Sequence, residues 1–445
     1  MTRVAERLSA LLDQLGLNRV FMATQLPGDI AEFCTARPER VAGLALVVAS
    51  RISPADFAAL SARALVLAGE SGIPTETADA AAPGMPDARQ VRLAGYAATA
   101  WSDIAVEQPD RLCGEIVGFL SERDPLPPTG LTASSGEVAG ITYRVMGAGP
   151  PLVLMPFFLA ASQWEPVLER LAERYTVIVL GGAHISGVAM LEDRASLPSY
   201  GDMLTTLVNR MRIPSHAQVL EVGCGPSALC RQMLAARPDI AVTGVDANGY
   251  LLREGAALAR AKGLSVQGPD DPGAAPPNGT LRLIEGDATR LPFEDDSFDA
   301  LYSITVLEEC DADKALSEMA RVVRPGGPVG VIVRAIDMQQ WWNLDLPPDI
   351  AAKVNAQPQS MSPGAVADRS LYPRMAKAGL RDIQGFPFML TFDRPQGPIW
   401  IYRASHARGL LSAGEKEIWD RAVARQQAAG QLFQANPVHC AVGWT

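Results

Sequence analysis

Glu221, Gly223 and Gly225 close an apolar run, Val219-Leu220-Glu221-Val222-Gly223-Cys224-Gly225-Pro226-Ser227, and an amphipathic stretch, Ala228–Ala236, follows. That spacing fits a buried parallel strand opening into a glycine turn beside a helix N-terminus. Glycine takes positive φ and lets backbone approach a nucleotide-like ligand. A second apolar run, 240–245, ends in Asp246. A carboxylate at the tip of the second strand of such a unit accepts hydrogen bonds from ribose hydroxyls. The run 281–288 again reaches an acid, Asp287, suited to an adenine amino group, and Leu291-Pro292-Phe293 follows. Residues 297–304 read as a central strand leading to Val306-Leu307-Glu308. Residues 316–323 and Arg324-Pro325-Gly326-Gly327 read as a helix and turn before a strand over 329–333.

These elements must form an alternating strand–helix domain. In order, Glu221-Val222-Gly223-Cys224-Gly225, Gly244-Val245-Asp246, Gly286-Asp287-Ala288, Leu291-Pro292-Phe293 and Arg324-Pro325-Gly326-Gly327 make 219–334 resemble class I S-adenosylmethionine-dependent methyltransferases, the group that includes quinone-biosynthesis and small-molecule enzymes. The resemblance implies a Rossmann-like fold, S-adenosyl-L-methionine as donor, S-adenosyl-L-homocysteine as product and no metal. It implies that Glu221, Gly223 and Gly225 line the amino-acid and ribose side of the donor. Asp246 and its neighbour Ala247 would meet the ribose, Asp287 and Ala288 the adenine, and Val306 and Leu307 would flank the donor. Tyr200, at the head of a helix over 202–211, would cover the methionine end. The sequence departs from the family at Ser227, where a third glycine is usual, and in a Pro/Gly-rich insertion over 268–280, read as a mobile surface loop.

Composition narrows the classes. The chain has 445 residues, enough for two or three domains. It carries a formal net charge of −10. No Lys/Arg cluster is long enough to track a phosphate backbone, and no Asn-Pro-Pro-Tyr type flipping motif occurs, which argues against nucleic acid as substrate. No apolar run reaches membrane-spanning length. The N-terminal residues read as an amphipathic helix rather than a signal peptide. Six cysteines lie scattered without Cys-x-x-Cys spacing, as reduced thiols of a cytoplasmic protein would. The four histidines, His184, His216, His406 and His439, show no metal-ligand spacing.

The first two hundred residues carry a different pattern. Residues 19–47 read as strand, sharp turn, helix and strand, which resembles the nucleophile elbow of an α/β-hydrolase. Runs at 64–70 and 90–95 and a helix over 107–120 resemble that fold's last strands and closing helix. Its front half comes afterwards: strands at 141–147 and 151–156, a helix over 164–174 and a strand over 175–181. A Pro/Ser/Thr/Gly-rich linker, 121–136, lies where the old termini would be joined. The expected fold class is therefore α/β, with two doubly wound domains. Residues 1–198 would be a circularly permuted α/β-hydrolase-like domain, and 199–445 the methyltransferase domain with a C-terminal substrate and lid segment. The triad is missing. Gln25 stands in the serine position, the acid position falls near Gly72, the histidine position falls near Ser102, and no histidine precedes His184. The leading domain is thus expected to be catalytically degenerate. Substrate capture, homodimer formation or support of the transferase are its remaining roles.

Substrate-side candidates follow the last parallel strand. Asp337, Trp341 and Asn343 lie where ligands bind in this architecture, with His184 a further candidate. Asp337 and His439 are candidates for acid–base work. A helix is expected over 371–378, closing antiparallel strands over 383–392 and 438–444, and lid helices over 399–409 and 413–429. The expected function is in-line methyl transfer to an oxygen, nitrogen, sulfur or carbon of a small organic acceptor. The alternatives are an S-adenosylmethionine-binding regulatory protein without turnover, and a hydrolase with an unconventional nucleophile. A turnover assay separates the first from the expected enzyme, and an ester screen tests the second.

Overall fold

The computed structural model describes residues 4–49, 51–98, 102–158, 161–181, 185, 187–268, 276–357 and 364–445. His184 and most of the insertion, 269–275, lie outside the described residues. Chain contacts divide the protein into Met1–Ala189 and Met190–Thr445. The division falls before the expected 198 because Ala195 and Leu197 already pack into the core of the second unit.

The first unit is built on Val20–Thr24 (β1), Val41–Val47 (β2), Ala64–Ser71 (β3), Arg89–Ala97 (β4), Ser134–Val138 (β5), Ile141–Met146 (β6), Pro151–Leu154 (β7) and Thr176–Gly181 (β8). Their order is β4-β3-β2-β1-β7-β8-β6-β5. All neighbours run parallel except that β6 is antiparallel to β5 and β8. β1, β2, β7 and β8 are buried along their whole length, as strands covered on both faces must be. The helix Val4–Gln14 buries Leu8, Leu11 and Leu12, spaced three and four apart on one stripe. The expected linker, 121–136, runs from the end of the helix Pro109–Ser121 into β5.

The second unit carries Gln218–Val222 (β9), Ala241–Asp246 (β10), Ser265–Gln267 (β11), Thr280–Glu285 (β12), Ala300–Ile304 (β13), Pro328–Arg334 (β14), Trp341–Trp342 (β15), Arg381–Gly385 (β16), Phe388–Phe392 (β17) and Gln434–Trp444 (β18). The order is β11-β12-β10-β9-β13-β14-β18-β15, with β16 and β17 also paired to β18. β9 to β14 are parallel, and β18 is antiparallel to β14. From β9 the chain proceeds outward through β10 on one side, then returns to β13 on the other. The carboxyl end of β9 is therefore the topological switch point, where open α/β sheets leave a crevice for ligands.

Local chemistry explains the element bounds. Pro198–Met211, Pro348–Asn355 and Pro398–Gly409 each begin at a proline, which has no amide hydrogen to lose at a helix start. The helix Ala413–Ala428 opens with a capping box between Ser412 and Glu415. The single strand expected over 383–392 is two strands. Pro387 offers no amide, and the Phe386 amide bonds instead to the Cys440 carbonyl at 2.8 Å.

Candidate functional site

The glycine turn hangs from the tip of β10. The Gly223 and Cys224 amides donate to the Val245 carbonyl at 2.7 and 3.1 Å. The Gly225 amide donates to Asp246 Oδ2 at 2.8 Å. Gly223 and Gly225 take φ of +74° and +53°. A Cβ on Gly223 would lie 2.1 Å from Val306 Cγ2, so no side chain fits there. A Cβ on Gly225 would meet nothing nearer than Leu191 and Leu251 at 3.9 Å, so that face of the turn is open. Ser227 holds the third-glycine position at φ +58°, fully buried. The close approach there is made by Gly255 of the helix Gly249–Ala261, whose Cβ would lie 2.7 Å from the Pro226 carbonyl oxygen.

Asp246 closes the turn and starts the next helix. Its Oδ1 accepts from the Asn248 amide at 2.9 Å, and Asn248 caps the helix Gly249–Ala261 through the Tyr250 and Leu251 amides. Burial raises the Asp246 carboxyl above its ordinary range, against the pull of the Asn248 and Gly225 amides. Ala247 is exposed beside it. Asp287 is exposed and its Oδ1 takes the Thr289 amide and hydroxyl at 2.7 and 2.8 Å. Ala288 packs, half-buried, against the core under β13 and β14.

Glu221 lies beneath the turn rather than at its surface. It is 3% exposed, and its Oε2 accepts from the Tyr302 hydroxyl at 2.7 Å and the Cys230 thiol at 2.8 Å. Burial pushes its carboxyl up to about 7, with those two bonds opposing. Both bonds fall on Oε2.

At the end of β13, Thr305 takes φ +56°, a strained conformation for a β-branched residue. It turns the chain so that Val306 meets Gly223. Leu307, expected to flank the donor, is fully buried among core residues such as Leu316 and Val333 and offers no surface to a ligand. Glu308, given no role by the sequence, is 1% exposed. Its Oε1 accepts from the Arg334 amide at 2.6 Å, while Oε2 is buried without a partner. Burial pushes its carboxyl up to about 7, with the Arg334 amide opposing. Tyr200 is also a core side chain, and its ring lies under the Arg194 guanidinium at 5.2 Å. Burial raises its pKa, with Arg194 and the Thr305 side chain opposing.

Asp337 and His439 are brought together. His439 sits opposite Val333 in the β14–β18 register. Its Nε2 lies 2.8 Å from Asp337 Oδ1 and its Nδ1 3.0 Å from the Tyr372 hydroxyl. A carboxylate only accepts, so Nε2 carries the hydrogen and Nδ1 accepts from Tyr372. Burial alone would raise the Asp337 carboxyl, but hydrogen bonds from His439 and the Arg369 amide hold it below its ordinary range. Tyr372, from the helix Leu371–Lys377, joins this chain without any signal of its own in the sequence.

Trp341 and Asn343 do not join it. Trp341 is 52% exposed, edge-on to Phe433. The Asn343 amide donates to the Gln431 carbonyl at 2.7 Å on the outside. The tryptophan turned inward is Trp342, packed against Trp400 and Trp419 at 5.5 and 5.0 Å. Strand alternation at β15 permits only one of the pair to face the core.

In the first unit Gln25 follows β1 at the turn into the helix Pro27–Ala36 and is buried. Its Oε1 accepts from the Phe158 amide at 2.7 Å, and its Nε2 donates to the Ser102 carbonyl at 3.4 Å. The side chain thus ties together three separate segments and presents no nucleophile. Among the described residues no group of His, Cys, Asp and Glu is arranged to hold a metal, and no helix is long and apolar enough to cross a membrane.

Comparison with known proteins fits this geometry. Residues 220–331 match the family described as a methyltransferase domain. A sterol 24-C-methyltransferase of Aspergillus fumigatus is 31% identical over 126 residues, 28% of this chain and 30% of that protein. The methyltransferase GfsG of Streptomyces halstedii is 31% identical over 140 residues, 30% of this chain and 44% of that protein. The chain thus spans less than half the length of these relatives. Among solved structures, the YcgJ protein of Bacillus subtilis is 18% identical with a TM-score of 0.36, covering 55% of this chain and 98% of that one.

Proposed function

With residues 220–331 a class I S-adenosylmethionine-dependent methyltransferase domain as the premise, we propose that the chain methylates a small organic acceptor. The carrying observation is the glycine turn at the switch point, with Val306 packed onto Gly223 and the open Gly225 backbone pinned to Asp246. The residues present fit an adenosyl sulfonium. Asp246 accepts from the ribose hydroxyls, with Ala247 alongside, and Asp287 with Ala288 meets the adenine edge. Glu221, bonded through Oε2 alone, has Oε1 for the amino group of the methionine end. Val306 walls the donor. Once bound, S-adenosylmethionine would supply a methyl group already activated on sulfur, for in-line transfer to the acceptor with S-adenosylhomocysteine as the leaving group.

The protein's own work is alignment, exclusion of water and movement of one proton. Tyr372 donates to His439 Nδ1, so the Tyr372 oxygen is the basic end of the chain. It takes the acceptor's proton as its own passes to Nδ1, and Asp337 holds Nε2–H and stabilises the imidazolium.

In the same reading, the first unit is a permuted, non-catalytic α/β-hydrolase-like scaffold. Its support is strand order. Counted from β5 through β8 and on to β1–β4, the sheet runs first, second, fourth, third, then fifth to eighth, with only the second strand reversed. Gln25 at the elbow position occupies an amide donor that would otherwise face a reacting carbonyl.

Calorimetry with S-adenosylmethionine and S-adenosylhomocysteine tests the cofactor site. Asp246→Ala should weaken both by about tenfold or more, the worth of one charge-assisted hydrogen bond or better. Unchanged affinity would show that the ribose binds elsewhere.

A further inference from the structure

Arg403, on the helix Pro398–Gly409, is a partly buried cation with no ion pair to an acid among the described residues. Its Nε donates to Gln434 Oε1 at 2.7 Å, and its Nη2 to Asn436 Oδ1 at 2.8 Å and Gln340 Oε1 at 3.3 Å. Nη1 makes no such bond among the described residues. The guanidinium also stacks over the Phe392 ring at 4.3 Å. The amide oxygens are themselves held: Gln340 Nε2 donates to the Val354 carbonyl at 2.7 Å, and Gln357 Nε2 to Asn436 Oδ1 at 3.1 Å. Neutral amides thus fix the fork in place and leave its charge standing. Of the titratable groups that act on Arg403, Tyr402 raises its pKa, while the cations Arg194 and Arg334 lower it. Burial, the larger effect, and these two cations lower its pKa to about 10.

Arg334 has Glu308 Oε1 at 3.9 Å, but Arg403 has no ion-pair partner of its own among the described residues, and a cation so placed carries a cost that a bound anion would remove. Other donors of the second unit are left over as well. Arg194 Nε and Trp342 Nε1 are buried without hydrogen-bond partners. Position identifies the ligand. Val438 of β18 faces Arg334 at the end of β14, so Gln434 and Asn436, earlier on the antiparallel β18, lie beyond the carboxyl edge of the sheet. That edge is where ligands bind. Arg403 stands over β18, with β13 and β14 between that strand and the β9 glycine turn. It is therefore on the acceptor side of the crevice rather than the nucleoside side.

We propose that Arg403, backed by Arg194, anchors an anionic group, a carboxylate or a phosphate, on the methyl acceptor. The proposal rests on the methyl-transfer reading for the word acceptor, but the anion site itself does not. A guanidinium fork suits either group in bidentate fashion.

The test uses the full chain at constant ionic strength, saturated with S-adenosylhomocysteine, and three probes of similar size: benzoate, phenyl phosphate and the neutral benzamide. Titration calorimetry should show benzoate or phenyl phosphate binding about tenfold or more tightly than benzamide, and whichever of the two anions binds better identifies the group. In Arg403→Gln that preference should fall at least about fivefold while S-adenosylhomocysteine affinity is unchanged. Equal binding of benzamide and both anions would overturn the proposal. So would a preference that survives the substitution. So would loss of S-adenosylhomocysteine affinity in Arg403→Gln, which would make the cofactor's own carboxylate the anion. Should Arg403→Gln fail to fold, Arg194→Gln decides, since it must lower the preference too. Should wild-type protein not bind S-adenosylhomocysteine, methyl transfer falls, and the anion-to-benzamide ratio on the unloaded chain still judges the site.

Discussion

Glu221 and Glu308 are acids held in places where water cannot stabilise their charge. Each is pushed by burial from an ordinary 4.5 to about 7. Between those values the folded chain holds protons that the unfolded chain has released, so stability falls as pH rises from about 4.5 to about 7 and levels off above. A tenfold difference in proton affinity between folded and unfolded chain corresponds to about 1.4 kcal/mol, so each acid's penalty is on the order of 3 kcal/mol once both states are ionised, of which about 2 kcal/mol develops between pH 5.5 and 8. Glu308→Gln preserves an oxygen for the Arg334 amide and removes the charge. Urea denaturation at pH 5.5 and 8 should show wild type losing stability across the interval and Glu308→Gln losing on the order of 2 kcal/mol less. A wild type equally stable at both pH values would mean that the carboxyl is solvated. Gly223 and Asp246 could be singled out from the sequence because their chemistry is local: one needs positive φ, the other a strand tip. Glu308 could not, since its significance lies in an amide contributed by Arg334 of a neighbouring strand.

β18 is the element on which the proposed substrate side is organised. It pairs with β14, β15, β16 and β17, and so brings His439 to Asp337 and Gln434 and Asn436 to Arg403. Its central role follows from length, since eleven residues can pair with several shorter strands along one edge. For an acceptor with an ionisable hydroxyl, Asp337→Asn and His439→Gln should each lower kcat by about tenfold to a hundredfold with little change in KM. The same variants should be nearly silent toward a thiol acceptor, which reacts as thiolate. Equal losses on both acceptors would make the pair structural. The existence of these elements followed from period and proline placement. The pairing of β18 with four partners did not, because strand order is not written in local periodicity.

The whole chain joins two units with different relations to chemistry. Among the described residues, every group proposed for cofactor and acceptor lies in Met190–Thr445, while Met1–Ala189 presents Gln25 where hydrolysis would need a nucleophile. The wild-type chain should give no burst of product with p-nitrophenyl acetate, and Gln25→Ser should give none either, because no histidine precedes His184 to activate the new hydroxyl. A burst in wild type would reveal a nucleophile outside the elbow and revive a hydrolase. Among the described residues, the order of the first sheet supports the proposed permuted scaffold. Its strands and the break at 121–136 were readable because long apolar runs and a change of composition are both local properties.

Sequence alone marked the cradle proposed for the cofactor: glycines at a strand end, acids at the tips of the following strands, and a proline- and glycine-marked turn before β14. Those signals are short-range, because each residue's backbone angle or strand-end position suffices to assign it. Tertiary structure alone decided which polar groups lack partners. It put Trp342 inward and Trp341 outward, buried Leu307, joined Tyr372 to His439, and left Arg403 among amides and other arginines. Burial and charge neutralisation are sums over neighbours distant in the chain, and no window of sequence contains those neighbours.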